Sequence, residues 1–328
     1  MPSLVSIVTP CYNGEKYIGR FLDSIIRQSY PKLELVIIND GSTDETERVI
    51  YDYQEKLEQR DIQFVYQYQE NAGQAAALNR GLKLFTGEYL LWMDSDDEIS
   101  PDFIEKRVLF LENNPEYIYC YGKAISVLEE EPNKVIQTFE KRKETGNKRF
   151  FEDVIYLKNV FFPGYMVKTQ ALNHVIKNRD IYQGRGGQNA QILLPLAWYY
   201  GDPGYVDEAV YVYYIRKNSH SHSQDTSEKI ISQLNNYEKI LLETLNKIDD
   251  TNVQHYIDAI KNHYSRLRYG NAVDTKNPEL IKIYYEELKK TGHVSIHEYL
   301  LYLKYTKRFF RRFFGITDET DYGNPNRN

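Results

Sequence analysis

The first part of the chain, up to about residue 128, alternates short apolar runs with longer amphipathic segments. The apolar runs read LVSIVTP, LELVIIND, IQFVYQ and EYLLWMD. The segments that follow them have helical periodicity and comprise residues 15–28, 44–59, 74–85 and 101–111. Apolar runs of about four to eight residues between helices of about ten or more are typical of parallel strands that crossover helices bury on both faces. The pattern predicts a doubly wound α/β sheet.

Beyond this part the pattern changes twice. Residues 129–226 are irregular and rich in Gly and Tyr, and long helical periodicity follows, above all over 228–247 and 253–269. The predicted organisation is an α/β domain over 1–226 with halves 1–115 and 116–226, a helical region over 227–314, and a disordered polar tail over 315–328.

Local signals mark the ends of two predicted helices. Asp44 is placed to cap the second helix, and Ser100 followed by Pro101 has the N-cap and N1 order preferred at a helix start. The residues NNP at 113–115 predict the end of the fourth helix.

Composition excludes several classes of protein. The chain has 328 residues, with 41 basic and 47 acidic side chains and a net charge of −6, so no nucleic-acid partner is expected. Cys11 and Cys120 are too few for a disulfide scaffold. The strand pattern begins almost at Met1, which leaves no room for a cleaved leader, and no window approaches the ~20 apolar residues of a membrane span. We therefore predict a cytoplasmic protein with reduced thiols.

A cluster of acids follows the fourth apolar run. Residues 88–100 read EYLLWMDSDDEIS, which places Asp94, Asp96, Asp97 and Glu98 within five positions. Carboxylates so close together repel one another, and in an open parallel sheet they would lie on the rim where ligands bind. Two carboxylates spaced i and i+2 can hold a hard divalent cation, Mg²⁺ or Mn²⁺, through oxygen ligands. The cation would in turn hold phosphates.

Two long stretches of the chain resemble a known family. VSIVTPCYNGEKYIGRFLDSIIRQSYPKLELVIINDGSTDET and NAGQAAALNRGLKLFTGEYLLWMDSDDEI resemble the N-terminal half of family 2 glycosyltransferases, which have the GT-A fold. The resemblance is strong over about the first 115 residues and extends more weakly to about residue 222. It implies a mainly parallel sheet flanked by helices, and transfer of a sugar from a nucleotide diphosphate sugar.

The same resemblance implies a set of site residues. Asp94-Ser95-Asp96 corresponds to the D-x-D motif, which binds the divalent metal that bridges the diphosphate of the donor. The implied donor-side residues are Pro10, Tyr12 and Asp40, for the base and ribose, and Asn79 and Arg80, which border the donor pocket. His220, with His222 as the alternative, matches a position where such enzymes place a histidine near the metal, and Arg216 and Lys217 could add positive charge to the phosphates.

The catalytic base is where the sequence departs from the family pattern. Family 2 enzymes invert the anomeric centre, and in many of them the base is an Asp in an E-D pair at the start of a helix after a Gly-rich loop. Here Gln188 and Asn189 stand at that position, and neither amide can act as a base. The alternatives are an acid elsewhere, for which Asp97, Asp180 and Asp207 are the candidates; an acceptor-orienting role for the two amides; or donor binding without efficient transfer.

The resemblance also implies the kind of substrate. A UDP-sugar is the expected donor, and the expected acceptor is a hydroxyl of a glycan, a lipid-linked molecule or a protein in surface polysaccharide or glycan synthesis. A nucleotidyltransferase is one alternative, but it would have a Gly-rich phosphate loop after the first strand, and PCYNGEKY has one glycine. A nucleotide-sugar-binding protein without transferase activity is the other.

The segment LKYTKRFFRRFFG, residues 303–315, combines aromatic and basic side chains without an acid. On a helix its aromatic residues would fall on one side and its basic residues on the other. This pattern fits two structures: a helix that lies in the interface of the inner face of the cell membrane, or a helix that docks its aromatic face on the protein itself.

Overall fold

The computed structural model describes residues 2–141, 149–158, 160, 163–216, 226–307, 310 and 314. The chain divides into two compact units, Met1–Ser223 with Glu243–Asp249 and Gln224–Leu242 with Asp250–Asn328. The first boundary is close to the predicted one at residue 226. The segment Glu243–Asp249, which the pattern placed in the helical region, belongs to the first unit.

The described strands form one mixed sheet in the first unit. They are β1 (Val5–Cys11), β2 (Leu33–Asp40), β3 (Gln63–Gln69), β4 (Tyr89–Trp92), β5 (Glu98–Ile99), β6 (Tyr119–Leu128), β7 (Glu131–Phe139), β8 (Met166–Lys168) and β9 (Gly204–Ile215). Their order is β3-β2-β1-β4-β8-β6-β9-β5, and β7 pairs with β6. Strands β1 to β4 run parallel, as predicted, while β8 is antiparallel to both β4 and β6. The carboxyl ends of β1, β2 and β4 therefore lie side by side.

Helices cover the sheet and build the second unit. They are α1 (Ile18–Ile26), α2 (Thr46–Asp52), α3 (Gln54–Gln59), α4 (Gln74–Leu84), α5 (Phe103–Asn113), α6 (Arg149–Ile155), α7 (Thr169–Val175), α8 (Gln188–Tyr200), α9 (Ser227–Leu245), α10 (Val253–Asp274), α11 (Pro278–Lys290) and α12 (Ile296–Thr306). A short 3₁₀ turn, Lys177–Arg179, separates α7 from α8.

Three of the four strands predicted from apolar runs are buried, and β3 is the exception, because each of its residues is partly or fully exposed. Every residue of β2 and β4 is buried, and the apolar side of α1, which includes Phe21 and Leu22, has no exposed area. Each such side chain stabilises the fold by about 2 kcal/mol through removal of apolar area from water. Helix α4 lies especially close to β1, because a Cβ on Gly81 would meet Val8 Cγ1 at 2.4 Å. The close approach fixes where the first turn of α4 reaches the rim of the sheet.

Two helix starts differ in detail from the expectation. The Asp44 carboxylate accepts a hydrogen bond from the Thr46 N–H at 3.1 Å, although Glu45 is the residue before α2. Helix α5 begins at Phe103, after the expected Pro101, because the Phe103 N–H returns to the Ser100 carbonyl at 3.0 Å and forms a turn first. It ends at Asn113, where the sequence predicted its end.

The region predicted as irregular, residues 129–226, contains regular structure. It includes β7, β8, β9, α6, α7 and α8. Strand β7 is exposed along nearly its whole length, and β9 has a register shift against β6, so neither shows a clean alternation of apolar and polar residues. Helix α8 contains Pro195, which is unusual inside a helix. Because of these features, the pattern of apolar and polar residues does not predict the strands and helices of this region.

The second unit is helical. In it, α10 packs on α11 through Tyr269, Ala272, Ile281, Tyr285 and Leu288. Arg268, with a side chain only 4% exposed, pairs with Glu238 at 2.6 Å and Glu287 at 2.5 Å. Across the described ranges, every helix is too short or too polar to traverse a lipid bilayer.

Candidate active site

The acidic loop after β4 lies at the carboxyl edge of the sheet, as predicted. Its first acid, Asp94, accepts a hydrogen bond at 2.8 Å from Nε2 of Gln74, the first residue of α4. Burial, and then the negative charge of Asp96, raise the pKa of Asp94 to about 7. Two carboxylates held this close together in a poorly hydrated site favour a cation between them.

Two arginines hold the second acid of the motif, Asp96. Arg216, just after β9, forms an ion pair with its carboxylate, and Arg20 of α1 donates to its backbone carbonyl at 2.6 and 3.0 Å. Arg20 also makes a two-pronged ion pair with Glu129, at 2.7 and 2.9 Å. The guanidinium of Arg216 lies over the Tyr17 ring at 4.6 Å, and within the described part of the chain its buried Nε has no hydrogen-bond acceptor. Positive charge therefore stands directly beside the D-x-D motif.

The third acid, Asp97, lies in a different environment. Its side chain has no exposed area, and it accepts hydrogen bonds from the Tyr211 hydroxyl at 2.7 Å and the Tyr214 N–H at 3.1 Å. Burial, with the nearby charges of Asp96 and Asp94, raises its pKa well above the usual range. Asp97 therefore ties the acidic loop to β9, and a fully enclosed carboxyl does not suit a base that must meet an acceptor hydroxyl.

The other two candidate bases lie apart from the acidic loop. Asp180 forms an ion pair with Lys83 at 3.0 Å, and its carbonyl accepts from Lys247 at 3.3 Å. Asp207 is near the start of β9, whereas Arg216, the contact of Asp96, follows the end of that strand. Its carboxylate accepts from the Tyr205 hydroxyl at 3.1 Å.

Asp40, at the end of β2, is almost buried, at 3% exposed. Its carboxylate accepts hydrogen bonds from Nε2 of Gln69 at 2.7 Å and from the backbone N–H groups of Ala72 and Gly73, each at 2.9 Å. The charge of Asp40 thus organises the loop between β3 and α4. That loop carries Gln74 to its contact with Asp94.

Pro10 and Tyr12 lie at the end of β1. The Tyr12 side chain is 53% exposed, which leaves its ring free to stack on a ligand. The loop after it is tied to the neighbouring loop, because the Asn13 N–H donates to Oγ of Ser42 at 2.9 Å and the Gly14 N–H to Oγ1 of Thr46 at 2.7 Å. The two loops therefore form one rigid edge of the rim.

Asn79 and Arg80, named from the resemblance, have contacts away from the acidic loop. Asn79 is buried and pairs with both the N–H and the carbonyl of Ile181, each at 2.8 Å. Arg80 donates to Gln67 on β3 at 2.6 Å. Gln74 is the α4 side chain that contacts Asp94, and the sequence did not predict this role. The signal for it was its position just after Gly73, at the start of a helix on the rim of the sheet.

The amides at the start of α8 come next to β4. The carboxamide oxygen of Asn189 accepts a hydrogen bond from the indole N–H of Trp92, the last residue of β4, two positions before Asp94. Asp94 follows two residues after Trp92, beyond the end of β4. The structure thus brings the helix start that carries Gln188 and Asn189 beside the acidic loop.

Of the predicted metal ligands, Asp94 and Asp96 lie within the described residues. Among the described residues, no group of three or more His, Cys, Asp or Glu side chains is arranged to hold a metal ion. The carboxylate oxygens of Asp94 and Asp96 are of the kind that Mg²⁺ and Mn²⁺ prefer. His220, His222 and Lys217 lie outside the described residues.

Solved structures share this architecture. TarS 1–349 of S. aureus, in complex with UDP-GlcNAc, superposes with a TM-score of 0.57 at 18% identity, covering 92% of this chain and 91% of that one. A mannosyltransferase of Pyrobaculum calidifontis, in complex with GDP-Man and Mn²⁺, superposes with a TM-score of 0.53 at 18% identity, covering 96% and 84%. The fold is therefore GT-A, the class of nucleotide-sugar glycosyltransferases.

The chain belongs to glycosyl transferase family 2, because the model of that family matches residues 6–169, half of its length. It is 38% identical over 120 residues to an uncharacterized glycosyltransferase of Rickettsia prowazekii, covering 36% of each chain. It is 41% identical over 108 residues to a putative teichuronic acid biosynthesis glycosyltransferase, TuaG, of Bacillus subtilis, covering 33% of this chain and 42% of TuaG. The matches thus span less than half of the length of these relatives.

Proposed function

We propose that this chain transfers a sugar from a UDP-sugar to an acceptor hydroxyl, with inversion and with a divalent cation. The observation that carries the proposal is the juxtaposition, at one edge of the sheet, of Asp94 and Asp96 with Arg216 and the start of α8. Carboxylates suit a cation, and an arginine suits phosphate oxygens.

The donor would bind along the rim. Asp94 and Asp96 would hold Mn²⁺ or Mg²⁺, which when bound neutralises charge on the departing diphosphate. Tyr12, Pro10 and the loop organised by Asp40 would receive the base and ribose. The Asp40 carboxylate already accepts hydrogen bonds from this loop. Its contribution to binding the base is therefore partly indirect, because it fixes the shape of the loop.

Arg216 would act on the diphosphate. Its guanidinium is anchored to Asp96 by one nitrogen and carries a buried Nε that donates to no described group. A guanidinium anchored in this way loses little side-chain entropy when it takes a further hydrogen bond to a phosphate. Arg216 thus couples Asp96 to the leaving group.

The acceptor is proposed from the relatives alone. The name of TuaG, a putative teichuronic acid biosynthesis glycosyltransferase, supports an acceptor in bacterial glycan synthesis, either a glycan, a lipid-linked molecule or a protein. Peripheral contact of residues 303–315 with a membrane is part of this proposal, since it would bring the enzyme to lipid-linked acceptors.

The experiment is a thermal-shift panel of nucleotide sugars with and without Mn²⁺, followed by release of nucleoside diphosphate from the best donor. A ligand that binds only the native state raises the melting temperature. Asp96→Ala should remove the Mn²⁺-dependent part of the shift and abolish transfer, whereas Asp40→Ala should weaken UDP with or without metal. Asp258→Ala, which removes an exposed acid on α10, is the matched control. Full activity in Asp96→Ala would refute the metal site.

A second candidate function follows from Gln188 and Asn189, because neither amide can act as a base. A protein that binds the donor without efficient transfer would show the same thermal shifts, yet release no nucleoside diphosphate with any acceptor mixture. Release of pyrophosphate in place of nucleoside diphosphate would instead indicate a nucleotidyltransferase.

A further inference from the structure

Two arginines contact Asp96, and they differ in how firmly they are held. All three guanidinium nitrogens of Arg20 donate to the Asp96 carbonyl or to the Glu129 carboxylate, and the guanidinium lies over the Tyr214 ring at 3.5 Å. Arg216 follows the end of β9, and its side chain is 34% exposed. One of its nitrogens meets the Asp96 carboxylate, while its Nε has no acceptor among the described residues. Arg20 is therefore fixed, whereas Arg216 keeps a donor for a ligand.

The charge of Arg216 bears directly on a cation at the D-x-D motif. The carboxylates of Asp94 and Asp96 would attract a divalent cation, and Arg216 already offsets the charge of Asp96. The partner of Asp94 is the neutral amide of Gln74, which offsets no charge. A cation bound to these acids alone would lie close to the guanidinium, and like charges so close repel. A diphosphate removes this repulsion, because its oxygens can contact the cation and the guanidinium together.

We propose that Arg216 makes the binding of the divalent cation and of the nucleotide diphosphate interdependent. Its guanidinium weakens the binding of the cation alone and strengthens the binding of the cation and the diphosphate together. The inference rests on the proposed function and deepens it, because it assigns the order in which the site fills. The cation enters with the diphosphate, and a site without nucleotide stays neutralised by Arg216.

Arg20 and Arg27 also lie at the acidic loop, but neither fits this role. The charge of Arg20 is offset by its two-pronged ion pair with Glu129. Arg27 is 53% exposed, and its partner is Glu98, at 3.5 Å, rather than an acid of the D-x-D motif. Water screens such an exposed pair. Arg27 therefore provides a matched control, an arginine of the same loop without a contact to Asp96.

The proposal predicts effects of opposite sign. By linkage, the factor by which UDP tightens the cation equals the factor by which the cation tightens UDP. A direct contact between cation and phosphate contributes to this factor in every variant. Removing the guanidinium should therefore strengthen the cation alone and weaken it when UDP is present. A residue that only kept the loop in shape would weaken the cation under both conditions.

The first test measures the binding of Mn²⁺ to the full chain from the electron paramagnetic resonance signal of free Mn²⁺, at constant ionic strength. The protein is titrated alone, with uridine and with UDP, and a titration of UDP without protein gives the Mn²⁺ that UDP itself holds. Arg216→Gln should bind Mn²⁺ alone more tightly by about fivefold or more, and in the presence of UDP more weakly by a similar factor. Uridine, which lacks the diphosphate, should leave the affinity for Mn²⁺ unchanged. Arg27→Gln should change it by less than about twofold.

The second test separates the charge of Arg216 from its geometry. Arg216→Lys keeps a positive charge but loses the planar fork that suits phosphate oxygens. It should bind Mn²⁺ alone as weakly as the wild type and recover only part of the tightening by UDP. Titration of UDP by calorimetry, with and without Mn²⁺, should give the same factor for each variant, and the melting temperature verifies that each variant is folded.

Each failure has a distinct signature. If the wild type binds neither UDP nor Mn²⁺, the proposed function fails and this inference with it. If the wild type binds both, but Arg216→Gln binds Mn²⁺ alone no more tightly than the wild type, the inference is refuted while the donor site stands. Tighter binding of Mn²⁺ alone by Arg216→Lys, to the extent seen in Arg216→Gln, would show that the charge at this position is not what opposes the cation.

Discussion

At the residue scale, neighbouring acids in the loop after β4 lie in different environments. Asp94 and Asp96 are partly exposed and contact Gln74 and Arg216, whereas Asp97 is enclosed by β9. The chain turns within this segment, because the Asp97 N–H donates to the Asp94 carbonyl at 3.4 Å. Two of the acids are thus available to a ligand and the third anchors the loop.

Asp97 offers a prediction at this scale. In Asp97→Asn the amide can still accept from the Tyr214 N–H and can donate to the Tyr211 oxygen, so the free energy of unfolding should change by less than about 1 kcal/mol. In Asp97→Ala the hydrogen bonds from the Tyr211 hydroxyl and the Tyr214 N–H to this buried carboxyl are lost, and the free energy of unfolding should fall by about 2–4 kcal/mol. Urea denaturation measures both values. Equal losses in the two variants would show that hydrogen bonding is not what Asp97 contributes, and a large loss of turnover in Asp97→Asn would restore it as a candidate base.

At the scale of elements, the sequence predicts the strands in the first half of the sheet but not those in the second half. Strands β1, β2 and β4 are short apolar runs that are buried almost throughout, so the local sequence predicts each of them, whereas β3 is partly exposed. Strands β6 and β9 pair over a long sequence separation, and their burial depends on neighbours that pattern analysis does not see.

The residues of the site divide in the same way into those that the sequence predicts and those that it does not. The acids of the D-x-D motif were found because carboxylates cluster along the chain. The contact of Gln74 with Asp94 and the amide pairing of Asn79 with Ile181 both join segments that are distant along the chain. Such contacts leave no periodic signal in the sequence.

Helix α12 carries a prediction about membranes. Ile296, Tyr299 and Leu300 are 81%, 47% and 54% exposed, and the basic, aromatic segment 303–315 begins within this helix. Arg308, Arg311 and Arg312 lie outside the described residues. We expect flotation with liposomes that contain anionic lipid, because aromatic and aliphatic side chains enter the interface while cations meet the headgroups.

The controls separate the two contributions. Ile296→Asp with Leu300→Asp should reduce flotation at any salt concentration, whereas changing the three arginines to Glu should matter most at low salt. Gln254→Glu, an exposed change on α10, should leave flotation unaltered. If the intact protein stays with the aqueous fraction even at low salt, the exposed face of α12 has another purpose.

At the scale of the whole molecule, the chain consists of two compact units with separate cores. Arg268 lies in the second unit and is paired with Glu238 and Glu287. Removing one partner of a buried ion pair leaves charge uncompensated, so Arg268→Ala should lower the stability of the second unit by about 3 kcal/mol.

The measurement for Arg268→Ala is hydrogen exchange followed by mass spectrometry. Protection should fall in α10 and α11, while the strands β1, β2 and β4 keep theirs. Lys282→Ala, which removes an exposed ion pair with Glu279 on the same unit, serves as the control and should change little. A uniform loss of protection over both units would mean that the chain unfolds as one cooperative body.

Because Trp92 contacts Asn189, the intrinsic fluorescence of Trp92 can report ligand binding near this contact. The chain has two tryptophans, and the second, Trp198, packs on Phe151 at a ring distance of 5.1 Å. Trp198→Phe would leave Trp92 as the sole indole emitter, with its N–H bonded to the amide beside the acidic loop. Indole emission responds to the polarity and charge around the ring, so donor and acceptor additions should each give their own change in wavelength or intensity. Binding order could then be followed on the millisecond scale without a label.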